Sequence, residues 1–139
     1  MIKLYEKRVT PFLTFNGKAL EAMNFYKEVF PGSVITRQEP YGEHPMASTE
    51  DSARILHGAM TIFNEEIIFM DMVNAHPSPD FSWATSIVTM CKTEAEFDDI
   101  FAKLAAVGTV MMGPEQVGDI RKCAWVTDQF GVTWQPLWP

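Results

Sequence analysis

Apolar residues recur at helical spacing in two segments of the chain. In residues 18–30 the apolar positions are Ala19, Ala22, Met23, Tyr26 and Phe30. In residues 94–107 they are Phe97, Ile100, Phe101, Leu104 and Val107. Steps of three and four residues place such side chains on one side of a helix. We therefore predict two amphipathic helices, each with one face packed on a sheet.

Both predicted helices have recognisable ends. Asn16 is the expected N-cap of the first helix, and Pro31-Gly32 should end it. Thr93 and Glu96 have the spacing of a capping box at the start of the second helix. In that motif the threonine hydroxyl accepts a helix-terminal N–H, and the glutamate carboxylate accepts one in return. Gly108 is expected to end the second helix.

Each helix follows one β-rich run and precedes a strand and a hairpin. The first hairpin should join residues 55–63 to residues 67–72, and the second should join residues 120–127 to residues 132–137. In the second hairpin Asp128 would start the turn and Gly131 would supply the positive φ. The strands are apolar almost without interruption, which indicates that both sheet faces are covered.

The order strand, helix, strand and hairpin thus occurs twice. Module one covers residues 9–72, a linker covers residues 73–83 and module two covers residues 84–138, all within a single domain, residues 1–139. Each module exposes a sheet face that the other can cover. We predict an α+β fold of tandem βαβββ modules, with a site between the two modules.

Composition and charge exclude several classes of partner. The formal net charge is −7 and the eleven basic residues are scattered, which argues against a nucleic-acid partner. No stretch approaches the roughly 18 apolar residues of a membrane span, and the first residues lack the apolar run of a signal peptide. Cys91 and Cys123 have no C-x-x-C spacing and should be buried free thiols. We therefore predict a cytoplasmic protein.

Several motifs together resemble the vicinal oxygen chelate superfamily, and more narrowly its PhnB-like branch. They are Pro11 to Gly17, the pair Phe25-Tyr26, His57 to Met60, Phe69 to Asp71, and Trp125 to Gln135. The superfamily includes glyoxalase I, extradiol dioxygenases, and fosfomycin and bleomycin resistance proteins. The resemblance covers nearly the whole chain. It implies that the two βαβββ modules form curved mixed sheets around a ligand-binding cleft, as in glyoxalase and bleomycin resistance proteins. It also implies a small-molecule ligand and a homodimer.

Members of the PhnB-like branch often carry the label 3-demethylubiquinone 3-methyltransferase. A nucleotide-derived methyl donor is usually held by a glycine-rich turn after a strand. None of the eight glycines forms even a G-x-G motif. The sequence itself therefore gives methyltransferase chemistry no support.

The resemblance also implies where a divalent metal would be bound. Enzymes of the superfamily place ligands on the first and last strand of each module. The matching positions fall near Pro11 and Met70 in module one, and near Ser86 and Gln135 in module two. A divalent metal that acts as a Lewis acid prefers histidine and carboxylate ligands. We therefore predict no metal and no other cofactor, with a divalent metal at a non-standard site as the alternative.

The orientation of the candidate ligand-binding residues depends on turn length. A two-residue turn in the first hairpin would place His57 on the same face as Met70, and a three-residue turn would place it on the opposite face. A three-residue turn in the second hairpin would place Trp125 opposite Gln135. A stacking surface beside a neutral amide suits an uncharged or aromatic molecule better than a cation.

Three functions are consistent with these residues. The first is metal-free binding of a small organic molecule by His57, Met70, Trp125 and Gln135, with an unknown ligand and no assigned catalytic residue. The second is a metal-dependent lyase, isomerase or dioxygenase-type enzyme with a relocated site that uses His57 and Asp71. The third is an interaction module whose own side chains fill the cleft.

Overall fold

The computed structural model describes residues 8–139. The chain forms two compact units, one ending at Ser78 and the other beginning at Pro79. No helix in the part of the chain that the structure describes has the length and apolar character needed to cross a membrane.

The first unit contains one four-stranded mixed sheet and one long helix. Its elements are β1 (Phe12–Phe15), α1 (Ala19–Val29), β2 (Val34–Pro40), a 3₁₀ turn (Thr49–Asp51), β3 (Ile55–Ile62) and β4 (Glu65–Asp71). The strand order is β1-β4-β3-β2, with β1 parallel to β4 and the other pairs antiparallel.

The second unit repeats this arrangement. Its elements are β5 (Ser86–Met90), α2 (Glu94–Ala106), β6 (Thr109–Val117), β7 (Ile120–Thr127) and β8 (Thr133–Trp138). The strand order is β5-β8-β7-β6, and again only the pair that contains the first strand is parallel. The predicted α+β class and the repeated βαβββ order are therefore confirmed.

Each helix covers one face of the sheet in its own unit. Helix α1 buries Ala22, Met23 and Tyr26, and the ring of Tyr26 lies 6.0 Å from that of Phe69 on β4. Helix α2 buries Phe97, Ile100 and Leu104 beside the fully buried Trp134. Because side chains alternate along a strand, the residues between these core positions point away from the helix. We call that side of each sheet its helix-free face.

The start of α1 differs from the prediction. Lys18, not Asn16, is the N-cap residue, and its side chain makes no capping hydrogen bond. The Asn16 side chain instead bonds to the backbone of Ser78. The helix end is satisfied by Asp71, whose Oδ1 accepts hydrogen bonds from the N–H of Gly17 (2.7 Å) and Ala19 (3.1 Å). A residue more than 50 positions away thus replaces the local cap.

The start of α2 is built mainly as predicted. Thr93 Oγ1 accepts a hydrogen bond from the N–H of Glu96 at 3.1 Å. The Glu96 carboxylate accepts its backbone bond from Lys92 N–H and not from Thr93. One half of the capping box is therefore confirmed, and the other half is shifted by one residue.

Turn geometry sets the strand register in both hairpins. In the first, Ile62 pairs with Glu65 across Phe63 and Asn64, whose φ angles are 50° and 65°. Positive φ at both positions defines the two-residue type I′ turn, which matches the twist of the strands. The turn lies one residue earlier than the segment from Asn64 that the sequence indicated.

The second hairpin has the predicted three-residue turn. Asp128 N–H donates to the carbonyl of Val132, and Gly131 has a φ of 89°. The buried Asp128 carboxylate accepts hydrogen bonds from the N–H of Phe130 and Val132 and from Nε1 of Trp134. One aspartate therefore fixes the turn and also satisfies the polar atom of the largest core side chain.

Candidate functional site

The first unit carries a polar row on its helix-free face. Gly58 pairs with Phe69, so the next antiparallel pair is His57 and Met70. Thr14 pairs with Met70 on one side, and Glu39 pairs with His57 on the other. The two-residue turn therefore places His57 and Met70 on the same face, each partly exposed.

Two charged residues, which the sequence analysis did not single out, extend this row. Arg37 Nη2 lies 2.6 Å from Glu39 Oε2, and both residues are on β2. The hydrogen bond from Arg37 lowers the pKa of the exposed Glu39 carboxyl, and the nearby His57 adds to the shift. The spacing of two residues between Arg37 and Glu39 indicated that they share one face of a strand. Which face that is depended on the register between β2 and β3.

The second unit carries an aromatic and neutral polar group on its helix-free face. The register of β7 and β8 pairs Val126 with Trp134, so Trp125 lies opposite Gln135 as predicted. Gln135 Nε2 donates a hydrogen bond of 2.6 Å to Ser86 Oγ on β5. The group therefore joins three strands without using a charged side chain.

Trp83 is a further member of this group that the sequence did not single out. Its ring centroid lies 5.7 Å from that of Trp125, with an angle of 49° between the ring planes. It is 56% exposed although it is a large aromatic residue. Its position in the predicted linker gave no periodicity from which this contact could be inferred.

The strand registers refine the four positions at which the superfamily resemblance implies metal ligands. Ser86 pairs with Thr133, two residues before Gln135, and Phe12 pairs with Ile68, two residues before Met70. Phe12, not Pro11, is therefore the counterpart of Ser86. Pro11 precedes β1, and its carbonyl accepts a hydrogen bond from Ile68 N–H.

The chemistry of these four positions does not fit a divalent metal. A phenylalanine ring offers no ligand atom, a methionine thioether is a soft donor, and serine and glutamine are neutral. Two of the four residues, Ser86 and Gln135, already bond to each other. Within residues 8–139, no group of three or more histidine, cysteine, aspartate or glutamate residues is arranged to hold a metal ion.

The alternative pair, His57 and Asp71, does not form a site. Asp71 follows Met70 on β4 and therefore points to the helix side of the sheet. It is 1% exposed, and its Oδ2 accepts a 2.9 Å hydrogen bond from Ile55 N–H. The two side chains lie on opposite faces and cannot share one ion.

A surface cavity of about 520 Å³ lies beside the 3₁₀ turn of the first unit. None of the four predicted ligand-binding residues lines it. Its buried wall includes Asp51, whose pKa is lowered by hydrogen bonds from Ser48 and Asn74. Both oxygens of that carboxylate accept hydrogen bonds, which connect the loop at Ser48 to the chain after β4 at Asn74.

Neither cysteine has the character of a nucleophile. Cys91 and Cys123 are both buried and free, as predicted. Burial raises the pKa of the Cys91 thiol to about 11, and burial also raises the pKa of Cys123. A thiol held in its neutral form is a poor nucleophile near neutral pH.

Comparison with known proteins relates this geometry to a family. Residues 7–137 match the family model described as 3-demethylubiquinone-9 3-methyltransferase. No curated protein matches the chain. A solved structure described as a putative 3-demethylubiquinone-9 3-methyltransferase, PhnB protein, from Bacillus cereus is 33% identical. The alignment covers 96% of this chain and 100% of that one, with a TM-score of 0.83.

More distant structures share the fold. Protein PA1353 from Pseudomonas aeruginosa is 25% identical over 96% of this chain and 98% of its own, with a TM-score of 0.85. The fosfomycin resistance protein FosX from Listeria monocytogenes is 10% identical over 96% of this chain and 91% of its own, with a TM-score of 0.65. The chain therefore belongs to the PhnB-like family, whose model is described as 3-demethylubiquinone-9 3-methyltransferase, and it shares the fold of FosX.

Proposed function

We propose that this protein binds a small organic molecule, without a metal, through the helix-free faces of its sheets. The observation that carries the proposal is the hydrogen bond between Gln135 and Ser86, at two positions where the superfamily resemblance implies metal ligands. Two neutral groups that bond to each other provide no negative charge to hold a divalent cation. The same groups are well suited to hydrogen bonding with an organic ligand.

The first unit supports the proposal with a different set of groups. His57 and Met70 offer a hydrogen-bonding ring and an adaptable apolar side chain on one face. The ion pair of Arg37 and Glu39 neutralises the charge beside them. A ligand on this face would meet polar contacts with little net charge.

We do not extend the methyltransferase description of the family to this chain. A nucleotide-derived cofactor would use free backbone N–H groups at the turn between a strand and a helix. In the first unit the N–H groups of Gly17 and Ala19 at that turn already donate to Asp71. In the second unit the N–H of Glu96 already donates to Thr93. These bonds occupy backbone donors that a cofactor bound at either turn would need.

Ligand binding can be tested by thermal unfolding of the metal-free protein. After treatment with a chelator, the protein is screened against a library of small organic molecules in the continued presence of chelator. A ligand at about 100 times its Kd stabilises the folded state by about 2.7 kcal/mol, which raises Tm by several degrees. Trp125→Ala or His57→Ala should remove that shift for a ligand on the corresponding face. Val107→Ala, an exposed change at the end of α2, should preserve it.

The same material tests the metal-dependent alternative. Elemental analysis of untreated protein should find less than stoichiometric divalent metal, and added Mn²⁺, Ni²⁺ or Zn²⁺ should leave Tm unchanged. Stoichiometric metal that survives purification, together with a rise in Tm on metal addition, would overturn the proposal.

We further propose that the protein is a cytoplasmic homodimer. Exposed apolar side chains on the edge strand β6, among them Val110 and Met111, support a partner surface. The buried free thiols are compatible with a reducing compartment. Light scattering coupled to size-exclusion chromatography should give twice the 15.7 kDa chain mass, and a monomer mass would refute the dimer.

A further inference from the structure

We infer that the helix-free face of the second unit selects an uncharged planar ring that carries a hydrogen-bond donor and acceptor side by side, as in an aromatic carboxamide or a lactam. The ring would contact Trp83 and Trp125, and its polar edge would meet Gln135 and Ser86. This inference rests on the proposed function and specifies its ligand class.

The aromatic half of the site is defined by two tryptophans that do not stack face to face. Their planes are inclined at 49° with the centroids 5.7 Å apart, so neither ring fully covers the other. Trp83 remains 56% exposed, and Val88, which pairs with Gln135, remains 50% exposed. A flat ring placed against Trp83 would bury apolar surface on both partners, and offset or tilted ring contacts are the favoured geometry.

The polar half is defined by hydrogen-bonding capacity that the fold leaves unused. The side-chain amide of Gln135 donates one N–H to Ser86 Oγ, at 2.6 Å. Its Oε1 has no hydrogen-bond partner among residues 8–139. The Ser86 hydroxyl accepts this bond and keeps its own proton to donate. An acceptor and a donor are thus offered next to each other, which matches the N–H and C=O of one amide group.

The charge of the face argues for a neutral ligand. Trp83, Ser86, Trp125 and Gln135 carry no charge, and Glu115 is one row further along the face, opposite Cys123. None of these four residues supplies a cation to compensate an anion for its lost hydration, and Glu115 would repel it. A cation would meet no carboxylate beside the Gln135 amide. The neutral donor and acceptor of Ser86 and Gln135 therefore favour a neutral polar edge.

Three molecules of nearly identical shape provide a direct test: benzamide, benzoate and benzamidine, which are neutral, anionic and cationic at neutral pH. Each is titrated up to about 20 mM into the ¹⁵N-labelled protein, since ligands this small bind weakly. The indole N–H signals of Trp83 and Trp125 and the side-chain amide signals of Gln135 report the site. We expect benzamide to shift these signals with an affinity at least about tenfold higher than that of the two ions.

Two variants distinguish specific binding of benzamide at this site from non-specific binding. Trp83→Ala, an exposed change, should weaken benzamide binding while the urea midpoint stays the same. Gln135→Glu replaces the amide with a carboxylate of the same shape, and should weaken benzamide and favour benzamidine. Val107→Ala, in the same unit but at the end of α2, should bind all three like the parent protein.

Each outcome has a definite meaning. Preference for benzoate or benzamidine, equal affinity for all three, or the absence of any shift at these signals would overturn the inferred ligand class. If benzamide fails this test but the thermal screen finds a ligand whose binding requires His57, the proposed function stands and only this inference fails. If neither experiment detects a ligand, both fail.

Discussion

Asp71 provides the sharpest stability prediction. Its carboxylate is 1% exposed and accepts three backbone hydrogen bonds, from Gly17, Ala19 and Ile55. It therefore joins the end of β1, the start of α1 and the start of β3. Asp71→Ala would leave these donors without an acceptor inside the fold.

The expected loss of stability depends on how well water can reach the three N–H groups that Asp71 accepts from. Water can replace the carboxylate at Gly17, which is exposed, but not readily at the buried Ala19 and Ile55. Each buried donor left unpaired costs about 1–3 kcal/mol, and bonds to a charged acceptor lie towards the upper part of that range. We expect Asp71→Ala to lower the free energy of unfolding by about 3–5 kcal/mol. Asp71→Asn should lose roughly half as much, because one oxygen acceptor remains.

Urea unfolding followed by circular dichroism at 222 nm measures these losses. Hydrogen exchange should also accelerate selectively at the amides of Ala19 and Ile55. Asp119→Ala, an exposed aspartate in the turn between β6 and β7, serves as the control and should change stability by less than about 0.5 kcal/mol. If Asp71→Ala were no more damaging than this control, the capping role assigned to Asp71 would be incorrect.

Three further changes test local features. Thr93→Ala should cost about 1 kcal/mol in urea unfolding because Glu96 N–H loses its acceptor, and Thr93→Ser should recover most of it. Gly131→Ala should cost about 1 kcal/mol or more because its φ is 89°, whereas Gly131→Asn should cost less; equal stability of both variants and the parent would contradict this. For Cys91, the unfolded thiol with its ordinary pKa of 9.0 deprotonates before the folded one, whose pKa is about 11. Stability should therefore fall as pH rises across that interval, and the fall should be smaller in Cys91→Ala.

The candidate site could be predicted in part because turn chemistry controls strand register. Asp128 and Gly131 indicated a three-residue turn, and that turn alone places Trp125 opposite Gln135. The first hairpin was harder. Its turn residues, Phe63 and Asn64, include a phenylalanine at positive φ, a conformation that phenylalanine rarely adopts. The face of His57 therefore stayed open until the pairing of β3 and β4 was known.

The sequence by itself determined the order of elements and the apolar face of each helix, because periodicity and turn residues act over a few positions. The repeat of βαβββ follows from such local signals. Only the tertiary structure decided the contacts that join distant segments. These include the Asp71 cap of α1, the position of Trp83 against Trp125, and the match of Phe12 rather than Pro11 to Ser86. Each depends on which strands become neighbours and in what register, and no local pattern encodes that.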